Sequence, residues 1–398
     1  MKGRYQYRIY PKQNQVRLLA KAMGCARVVW NDALALYQKA YQNGQPRPKD
    51  GDKIVITQAK KTEERQWLGE VSNIVLQQSY RDLQQAWSNF FNSINGKRKG
   101  KKVLAPRFKK KHSRQSIRFR KGGFSVHSSS VKLAKIGHVP MIVSRPLPSS
   151  PSSVTIIKDC AGRYFASFVV EVEEIRAPKT EKQIGIDLGL AHFATLSTGE
   201  KIENPRSQKK LLNKIKFANR KLSRAKLGSQ RREKAKLRLA KLHAKVKDQR
   251  RDFLHKLTTR LVSENQAIAI EDLNVSGLVK NRKLSRAISD AGWYKFRELL
   301  TAKGDKYGRK LVVIDRWEPT SQKCSKCHFR GGKKELDVRE WICLKCNTLH
   351  DRDVCASENI KVAGGLSETI NGRGSKCQTT SVAVCDEPST TYKQLSLF

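Results

Sequence analysis

The sequence predicts a multi-domain α/β protein, because strand-like and helical patterns occupy separate stretches of a chain of 398 residues. Residues 120–178 are rich in strand formers, whereas residues 207–261 have helical periodicity. A third observation is the apolar strand at 184–187, which follows a linker at 177–180 and predicts a new domain from residue 183 onwards. A chain of this length can form two or three domains, each with its own core.

Four elements are predicted in the first half of the chain. Residues 5–10 alternate in polarity and stop at Pro11, as expected for a short strand. Residues 13–95 are predicted to be helical, and the Gly-punctuated basic stretch 96–102 is predicted to be a loop. Residues 154–157 and 164–172 predict a β-hairpin that turns at 159–162.

The second half contains a long basic helical stretch, residues 207–261, which we expect to form a hairpin broken near Gly228. Its apolar line is narrow and Lys and Arg crowd the other faces. One interpretation is a solvated helical pair. Acidic partners are too few to pair these cations, which favours a phosphate-facing role. The tail, residues 364–398, is rich in Ser, Thr and Gly and is predicted to be mostly disordered.

The charge of the chain indicates a polyanionic partner. There are 81 Lys and Arg against 35 Asp and Glu, which gives a formal net charge of +46. Such a chain repels itself unless nucleic acid or an anionic membrane neutralises it. No apolar run approaches the roughly 20 residues of a membrane span, and the first residues lack the apolar stretch of a secretion signal. We therefore expect a cytoplasmic protein that binds nucleic acid and no membrane.

Four of the nine cysteines are clustered in a metal-binding pattern. Cys324 and Cys327 form one C-x2-C pair and Cys343 and Cys346 a second, with fifteen residues between the pairs. Each pair can direct two thiolates at one ion, and the interval allows a β-hairpin return. Four sulfurs predict a closed, structural zinc site. The alternative is four free or oxidised cysteines; the flanking His328 and His350 are interpreted as bystanders.

Three acidic residues lie at positions that need an explanation in a strongly basic chain. Asp187 ends the apolar run 184–186, Glu271 ends the run 266–270, and Asp353 precedes a predicted helix at 354–363. Carboxylates at the ends of adjacent strands and at a helix start can converge on two divalent ions that cleave a phosphodiester, and magnesium suits such a site. Taken singly, each has an alternative: a turn for Asp187, an ion pair with Lys for Glu271, and a helix cap for Asp353.

At this point the chain closely resembles TnpB, the transposon-encoded family of RNA-guided DNA nucleases related to the type V CRISPR effectors. The resemblance covers roughly residues 3–363. The matching segments are 76–79, 89–91, 106–109, 185–189, 271–273, 281–293, 320–324, 343–346 and 350–353.

The resemblance implies an RNase H-like (RuvC-type) nuclease core with an inserted zinc ribbon, preceded by a wedge-like β-barrel that carries a helical recognition lobe. The implied ranges are 1–12 and 112–178 for the wedge, 13–111 for the lobe, 179–317 for the nuclease core, 318–350 for the ribbon, 351–363 for the last core helix and 364–398 for the tail.

Carried over residue by residue, the resemblance makes Asp187, Glu271 and Asp353 the catalytic acids, holding two Mg²⁺ ions beside a structural Zn²⁺. Asp353 is preferred within 351–353 because the family's catalytic Asp directly precedes x-Asn-Ala. The sequence departs from the family here, since the usual Asn-Ala-Ala is replaced by residues 355–357, Cys-Ala-Ser. Local packing and hydrogen bonding should differ accordingly.

The resemblance also implies a guide RNA from the transposon end and a double-stranded DNA target, in a prokaryotic cytoplasm and at the nucleoid when bound to DNA. Base pairing then reads the target, and the protein checks only a short adjacent DNA motif. Gln77 falls where the family has a residue near that motif. Besides the 209–251 helices, the residues predicted to contact the nucleic-acid backbone are Lys97, Arg98, Lys101, Lys102, Arg107 and Lys109.

Two other functions compete with a nuclease. A nuclease-inactive, RNA-guided DNA-binding regulator is opposed by the presence of all three acids, although Cys355 keeps it open. A strand-transferring transposase is weaker, because the sequence has no His-x-His pair to hold a metal beside a nucleophilic tyrosine. The sequence does not indicate protein partners.

Overall fold

The fold comes from a computed structural model that describes residues 2–98, 100–111, 115–173, 177–335 and 337–366. These residues form two compact units, one ending at residue 173 and one beginning at residue 177. The predicted disordered tail lies outside the described residues from 367 onwards. The domain boundaries inferred from the resemblance remain predictions.

The first unit contains a seven-stranded antiparallel sheet with the order β2-β6-β7-β1-β5-β4-β3. Its strands are β1 Lys2–Ile9, β2 Gln115–Arg120, β3 Phe124–Val126, β4 Ser130–Leu133, β5 Gly137–Ile142, β6 Ser153–Lys158 and β7 Tyr164–Glu171. The predicted β6–β7 hairpin is confirmed, and β1 is held along its length by β7. In place of a closed barrel, the described residues form a half-barrel whose edge strands are β2 and β3.

Two long helices, α1 Gln13–Gln42 and α2 Asn73–Ile94, pack against this sheet and each other. The sequence predicted one helical region over 13–95, but 43–72 contains only short 3₁₀ and π turns. The interruption follows from Gly44, with φ +66°, and from the prolines at 46 and 48, which cannot continue a helix. The helices are joined in the core by a 2.6 Å hydrogen bond between the hydroxyls of Tyr37 and Tyr80.

The second unit is built on a five-stranded mixed sheet with the order β10-β9-β8-β11-β12. Its strands are β8 Gln183–Asp187, β9 His192–Leu196, β10 Lys201–Glu203, β11 Ala267–Glu271 and β12 Lys310–Ile314. Strands β8, β11 and β12 are parallel, while β9 pairs antiparallel with β8 and β10 pairs antiparallel with β9. Parallel strands end at the same edge, so residues that end β8 and β11 become neighbours.

Helices connect these strands. They are α3 Ser207–Arg224, α4 Gln230–Glu264, α5 Val275–Leu278, α6 Ser285–Ala291 and α7 Trp293–Tyr307. Helices α3 and α4 form the predicted hairpin, which turns at Gly228 with φ +79°. Asp290 accepts hydrogen bonds of 2.9 and 3.0 Å from the Gln208 amide at the start of α3. Asp290 therefore caps α3 from another helix. None of the described helices is both long and apolar enough to cross a membrane.

The last described helix, α8 Arg352–Ala363, lies directly on β8 and β11. A Cβ added to Gly185 would lie 2.6 Å from the backbone nitrogen of Lys361, and one added to Gly364 would lie 2.9 Å from the Cβ of Ala269. Such distances leave no room for a side chain, so glycine is required at the strand position that α8 covers.

Between β12 and α8 the chain forms a small ribbon that carries the four cysteines. Its strands are β13 Glu340–Ile342 and β14 Leu349–Asp351, with an antiparallel bridge between Lys323 and Arg330. The interval between the two cysteine pairs allowed a hairpin return, and in the described residues each pair lies inside its own hairpin. The reason is local: His328 and Asn347, both at positive φ, close the two C-x2-C turns by donating their amides to the carbonyls of Cys324 and Cys343.

Candidate active site and metal centre

The first two predicted acids lie at one edge of the second sheet. Ile186 pairs with Ile270 across β8 and β11, so Asp187 and Glu271, the next residues, end the two strands side by side. Side chains two residues apart on a strand share a face. Asp187 thus lies on the same face as Gly185, which is the face that α8 covers.

Helix α8 brings the third acid to this edge. Asp353 lies in its first turn, one turn before Ser357, whose backbone contacts Gly185. The cap of the helix is Asp351, which accepts the amides of Asp353 and Val354 at 3.1 and 3.0 Å. The capping alternative for Asp353 therefore fails, and its carboxylate is available at the helix start.

Electrostatics indicate that the three carboxylates share one site. The pKa of Asp187 is raised to about 7 by burial first and then by the negative charges of Glu271 and Asp353. Burial also raises the pKa of Glu271, against the opposing effect of a 2.7 Å hydrogen bond from the Thr320 hydroxyl. The Asp353 carboxylate forms an ion pair with Arg339 at 3.6 Å. An acid whose ionisation is opposed by two neighbouring carboxylates, within a chain of net charge +46, is a candidate for a cation site.

The donor set fits magnesium. All three groups offer hard carboxylate oxygens, and Mg²⁺ binds one or a few carboxylates while it keeps waters and shares substrate phosphate oxygens. The adjacent Asp272 does not join the cluster, because the side chains of Arg297 and Arg316 bind it and hold the pKa of its carboxyl below the usual range.

The four cysteines form a compact sulfur cluster. Their sulfurs lie within 4.8 Å of one another, with 3.6 Å between Cys324 and Cys346 and 3.5 Å between Cys327 and Cys343. A tetrahedral zinc with bonds of about 2.3 Å requires sulfurs about 3.8 Å apart. The cluster can hold a metal ion, and its geometry is consistent with a zinc ribbon.

His350 was interpreted as a bystander, but it is buried with its Nε2 3.0 Å from the Cys324 sulfur. Burial lowers the pKa of this imidazole, which favours its neutral form. It therefore lies within hydrogen-bond distance of one sulfur of the cluster, outside the set of four cysteines. No sequence signal distinguished it from His328, because its role depends on where β14 places it.

Helix α8 holds the start of the ribbon through Asn359. The Asn359 amide donates to the carbonyls of Thr320 and Lys323 at 2.7 and 2.9 Å, and the thiol of Cys355 donates to Lys323 at 3.2 Å. The departure at Cys355 thus leaves the ribbon anchored to α8. Because Thr320 in turn donates to Glu271, the ribbon and the acidic cluster are mechanically linked.

The predicted nucleic-acid contacts lie in the first unit. Gln77 is partly exposed on α2. The six basic residues predicted as contacts are all exposed, as are Lys110 and Lys111. The six are Lys97, Arg98, Lys101, Lys102, Arg107 and Lys109. This segment is fastened to α1, since the Trp30 indole donates to the Arg107 carbonyl at 3.1 Å and Asn31 exchanges two hydrogen bonds with Lys109.

Lys109 differs from the other predicted contacts. Its ammonium lies 3.7 Å from the centre of the Trp30 ring, and burial lowers its pKa. A cation–π contact of this kind gives the side chain an intramolecular partner. Its role as a phosphate contact stays a prediction.

Comparison with known proteins shows which family models and which solved structure this chain resembles. Three family models match: "Probable transposase" over residues 167–282, "Cas12f1-like, TNB domain" over 293–360 and "Helix-turn-helix domain" over 1–46. The fold resembles the protein in a Cas12f1–sgRNA–target DNA complex, with a TM-score of 0.54, 12% identity, and coverage of 88% of this chain and 83% of that one.

Sequence relatives narrow the class to a family. A Streptomyces pristinaespiralis protein named "Putative RNA-guided DNA endonuclease" is 43% identical, covering 96% of this chain and 94% of that protein. An Escherichia coli K12 relative, "Putative RNA-guided DNA endonuclease InsQ", is 30% identical over 90% and 92% of the two chains. The chain belongs to the TnpB family of RNA-guided DNA endonucleases, which confirms the resemblance drawn from its motifs.

One family description differs from the structure. The segment matched as a helix-turn-helix domain, residues 1–46, forms strand β1 and the single 30-residue helix α1. The strand is part of the half-barrel sheet, between β7 and β5. A two-helix motif that reads the major groove is therefore not formed by this segment.

Proposed function

We propose that this protein is an RNA-guided, Mg²⁺-dependent DNA endonuclease that cuts target DNA next to a short adjacent motif. In this proposal the second unit is an RNase H-like (RuvC-type) core, and Asp187, Glu271 and Asp353 are its catalytic acids. The observation that carries the proposal is geometric: Asp187 and Glu271 end neighbouring parallel strands, and Asp353 lies in the first turn of helix α8, which packs on the face of Asp187. The raised pKa of Asp187, to which both other carboxylates contribute, agrees with this arrangement.

Two Mg²⁺ ions held by these carboxylates would activate a water and stabilise the leaving oxygen of the phosphodiester. The chain itself orients the oxygen donors. Thr320 holds one oxygen of Glu271 at 2.7 Å. Asp351 caps α8 and forms a 2.6 Å ion pair with Lys201, which fixes the helix start that carries Asp353.

The ribbon has a structural part in this proposal. A zinc ion held by four thiolates has no open position for water, so it contributes to folding rather than to chemistry. It would fix the chain between β12 and α8, and with it the position of Thr320 beside Glu271. Loss of zinc should therefore reduce cleavage indirectly.

The proposed partners are a guide RNA from the transposon end and the double-stranded DNA that it selects. The net charge of +46 supports a large phosphate footprint. The exposed basic segment of 95–111 and the α3–α4 hairpin are the proposed backbone contacts, and Gln77 is the proposed contact near the adjacent motif. Both relatives described above carry names of RNA-guided endonucleases.

The test of the chemistry compares two Asp-to-Asn substitutions. The protein is purified with its RNA and given a matched DNA target in Mg²⁺. Asp187→Asn should abolish cutting and keep RNA and target binding, whereas Asp305→Asn, on the exposed side of α7, should cut like the wild type. Cutting by Asp187→Asn refutes the catalytic assignment. Target binding by the wild type without cleavage in several divalent metals favours the inactive regulator.

Specificity is tested by sequencing the RNA that co-purifies. That RNA is retargeted to a plasmid library with random bases beside the target. Depletion of particular flanks identifies the adjacent motif and requires both guidance and cutting. A Gln77→Ala variant should broaden the depleted flanks while the cutting of the best flank persists.

A further inference from the structure

Trp317 is an exposed aromatic residue at the edge that carries the acidic cluster. It is 83% exposed, whereas the other five tryptophans, all within the described residues, are buried or half-buried. It lies three residues after Ile314, which pairs with Glu271 at the end of β12. A large indole that is exposed to water beside a proposed active site is a candidate contact for a ligand that covers it.

The turn that carries this ring is well fixed. The amide of Trp317 donates to the Asp315 carboxylate at 3.0 Å, and the Glu318 amide donates to the Asp315 carbonyl at 3.3 Å. The Glu318 carboxylate forms an ion pair with Lys323. The ring is therefore presented by an ordered turn, and little conformational entropy would be lost when a ligand stacks on it.

Two guanidinium groups are held next to the ring's turn. Arg316 and Arg297 both bind the carboxylate of Asp272, the residue after Glu271, and each side chain is 41% exposed. A guanidinium has five N–H donors in a plane, so an arginine paired with one carboxylate retains donors for a phosphate. Asp272 and Glu318 are each paired with a cation and the Asp315 carboxylate accepts the Trp317 amide, so the remaining donors of Arg316 and Arg297 are the groups that a phosphate could bind here.

A flat aromatic surface beside guanidinium groups matches the chemistry of a nucleotide. A base within a duplex has both faces covered by its neighbours, whereas an unpaired base can stack on a protein ring. We propose that Trp317 stacks on one unpaired base of the DNA strand whose phosphate enters the acidic cluster, and that Arg316 and Arg297 bind adjacent phosphates. This inference rests on the proposed nuclease function and adds the residue that positions the strand.

The test measures stacking without hydrolysis. The full-length protein with its co-purified RNA is kept free of Mg²⁺, with its zinc retained, and mixed with target DNA that carries a single 2-aminopurine. The analogue is placed at successive positions of the strand. Its fluorescence falls when it stacks on an aromatic ring. We expect one position to be quenched by the wild type, released by Trp317→Leu and partly quenched by Trp317→Phe.

The control is Tyr41→Leu, which removes an aromatic ring that is 86% exposed on α1 in the other unit. It should leave the quenching pattern unchanged. Because Trp317 is exposed, its variants should unfold at the same temperature as the wild type, which excludes misfolding as the cause. The inference is overturned if the position that the wild type quenches stays quenched in Trp317→Leu, or if the wild type quenches no position.

Cleavage provides a second readout. Removing a stacking contact that is made equally in the ground and transition states raises KM and leaves kcat unchanged. Trp317→Leu should raise KM for the target by about 5-fold to 100-fold, the range expected for one base–aromatic stack. An unchanged KM overturns the inference, and so does a loss confined to kcat. Failure of the nuclease proposal is seen separately, as cutting by Asp187→Asn.

Discussion

Replacing Asp187 with Asn should stabilise the metal-free protein while it removes the proposed activity. Asp187 is half-buried near Glu271 and Asp353. Its ionised form is disfavoured by desolvation and by the negative charges of these two residues. Asn has nearly the same shape, and its carbonyl oxygen can still accept the hydrogen bond from the Leu188 amide. Asn carries no charge, so the repulsion between residue 187 and the two other carboxylates disappears.

The size of the effect follows from the pKa. A rise from 3.8 to about 7 corresponds to about 4 kcal/mol at about 1.4 kcal/mol per pH unit. Relaxation and water entry reduce this, so we expect about 2–4 kcal/mol above pH 7. In the unfolded chain Asp187 ionises near 3.8, and in the folded chain it ionises near 7. The penalty therefore grows as pH rises between these values and stays constant above them.

The assay is urea unfolding in Mg²⁺-free buffer, at about pH 5 and about pH 8, without strong chelators that would strip zinc. The gain of Asp187→Asn over the wild type should be larger at the higher pH. Asp305→Asn, which removes an exposed carboxylate on α7, should give no comparable gain. A loss of stability in Asp187→Asn at about pH 8, or a gain independent of pH, would refute the reasoning.

Three further predictions follow. Mg²⁺ affinity, measured by calorimetry, should rise by up to about tenfold per pH unit below pH 7 and level off above it, because Asp187 must lose its proton to bind the ion; a flat profile contradicts this. Asn359→Ala should lower the free energy of unfolding by about 1–3 kcal/mol, since the buried Thr320 carbonyl loses its donor and the Lys323 carbonyl keeps only the Cys355 thiol; no change in urea unfolding contradicts it. Gly185→Ala should prevent α8 from packing on β8 and abolish cutting. The control is Gly24→Ala, where an added Cβ meets nothing within 4 Å, and this variant should fold normally by circular dichroism. A well-folded, active Gly185→Ala protein contradicts this prediction.

Asp187, Glu271 and Asp353 show which features of the candidate site could be predicted from the sequence. Asp187 and Glu271 could be selected because each ends an apolar run, which predicts a strand terminus. Their adjacency depends on the parallel register of Ile186 with Ile270, separated by 84 positions, and no local pattern encodes it. For Asp353 the sequence left a role as helix cap open. The structure shows that Asp351 is the cap instead, because its carboxylate accepts the amides of Asp353 and Val354.

Residues that act through distant partners were missed for the same reason. Thr320 reaches Glu271 over a separation of 49 positions, and His350 reaches Cys324 over 26. Lys109 was selected for its charge, yet its ammonium lies over the Trp30 ring on α1. In each case the partner is set by how elements pack, and residue type and spacing do not report it.

By itself, the sequence determined the features that depend on local geometry or on total composition. The C-x2-C turns, the β6–β7 hairpin and the net charge of +46 are of this kind, because each arises from a few neighbouring residues or from the sum of charges. Only the tertiary structure decided which distant residues meet. The close fit of α8 on Gly185 places Asp353 beside Asp187, and the end of β12 places an exposed indole at the same edge. Contacts of this kind are made by the cooperative packing of whole elements, and they exist only once the chain has folded.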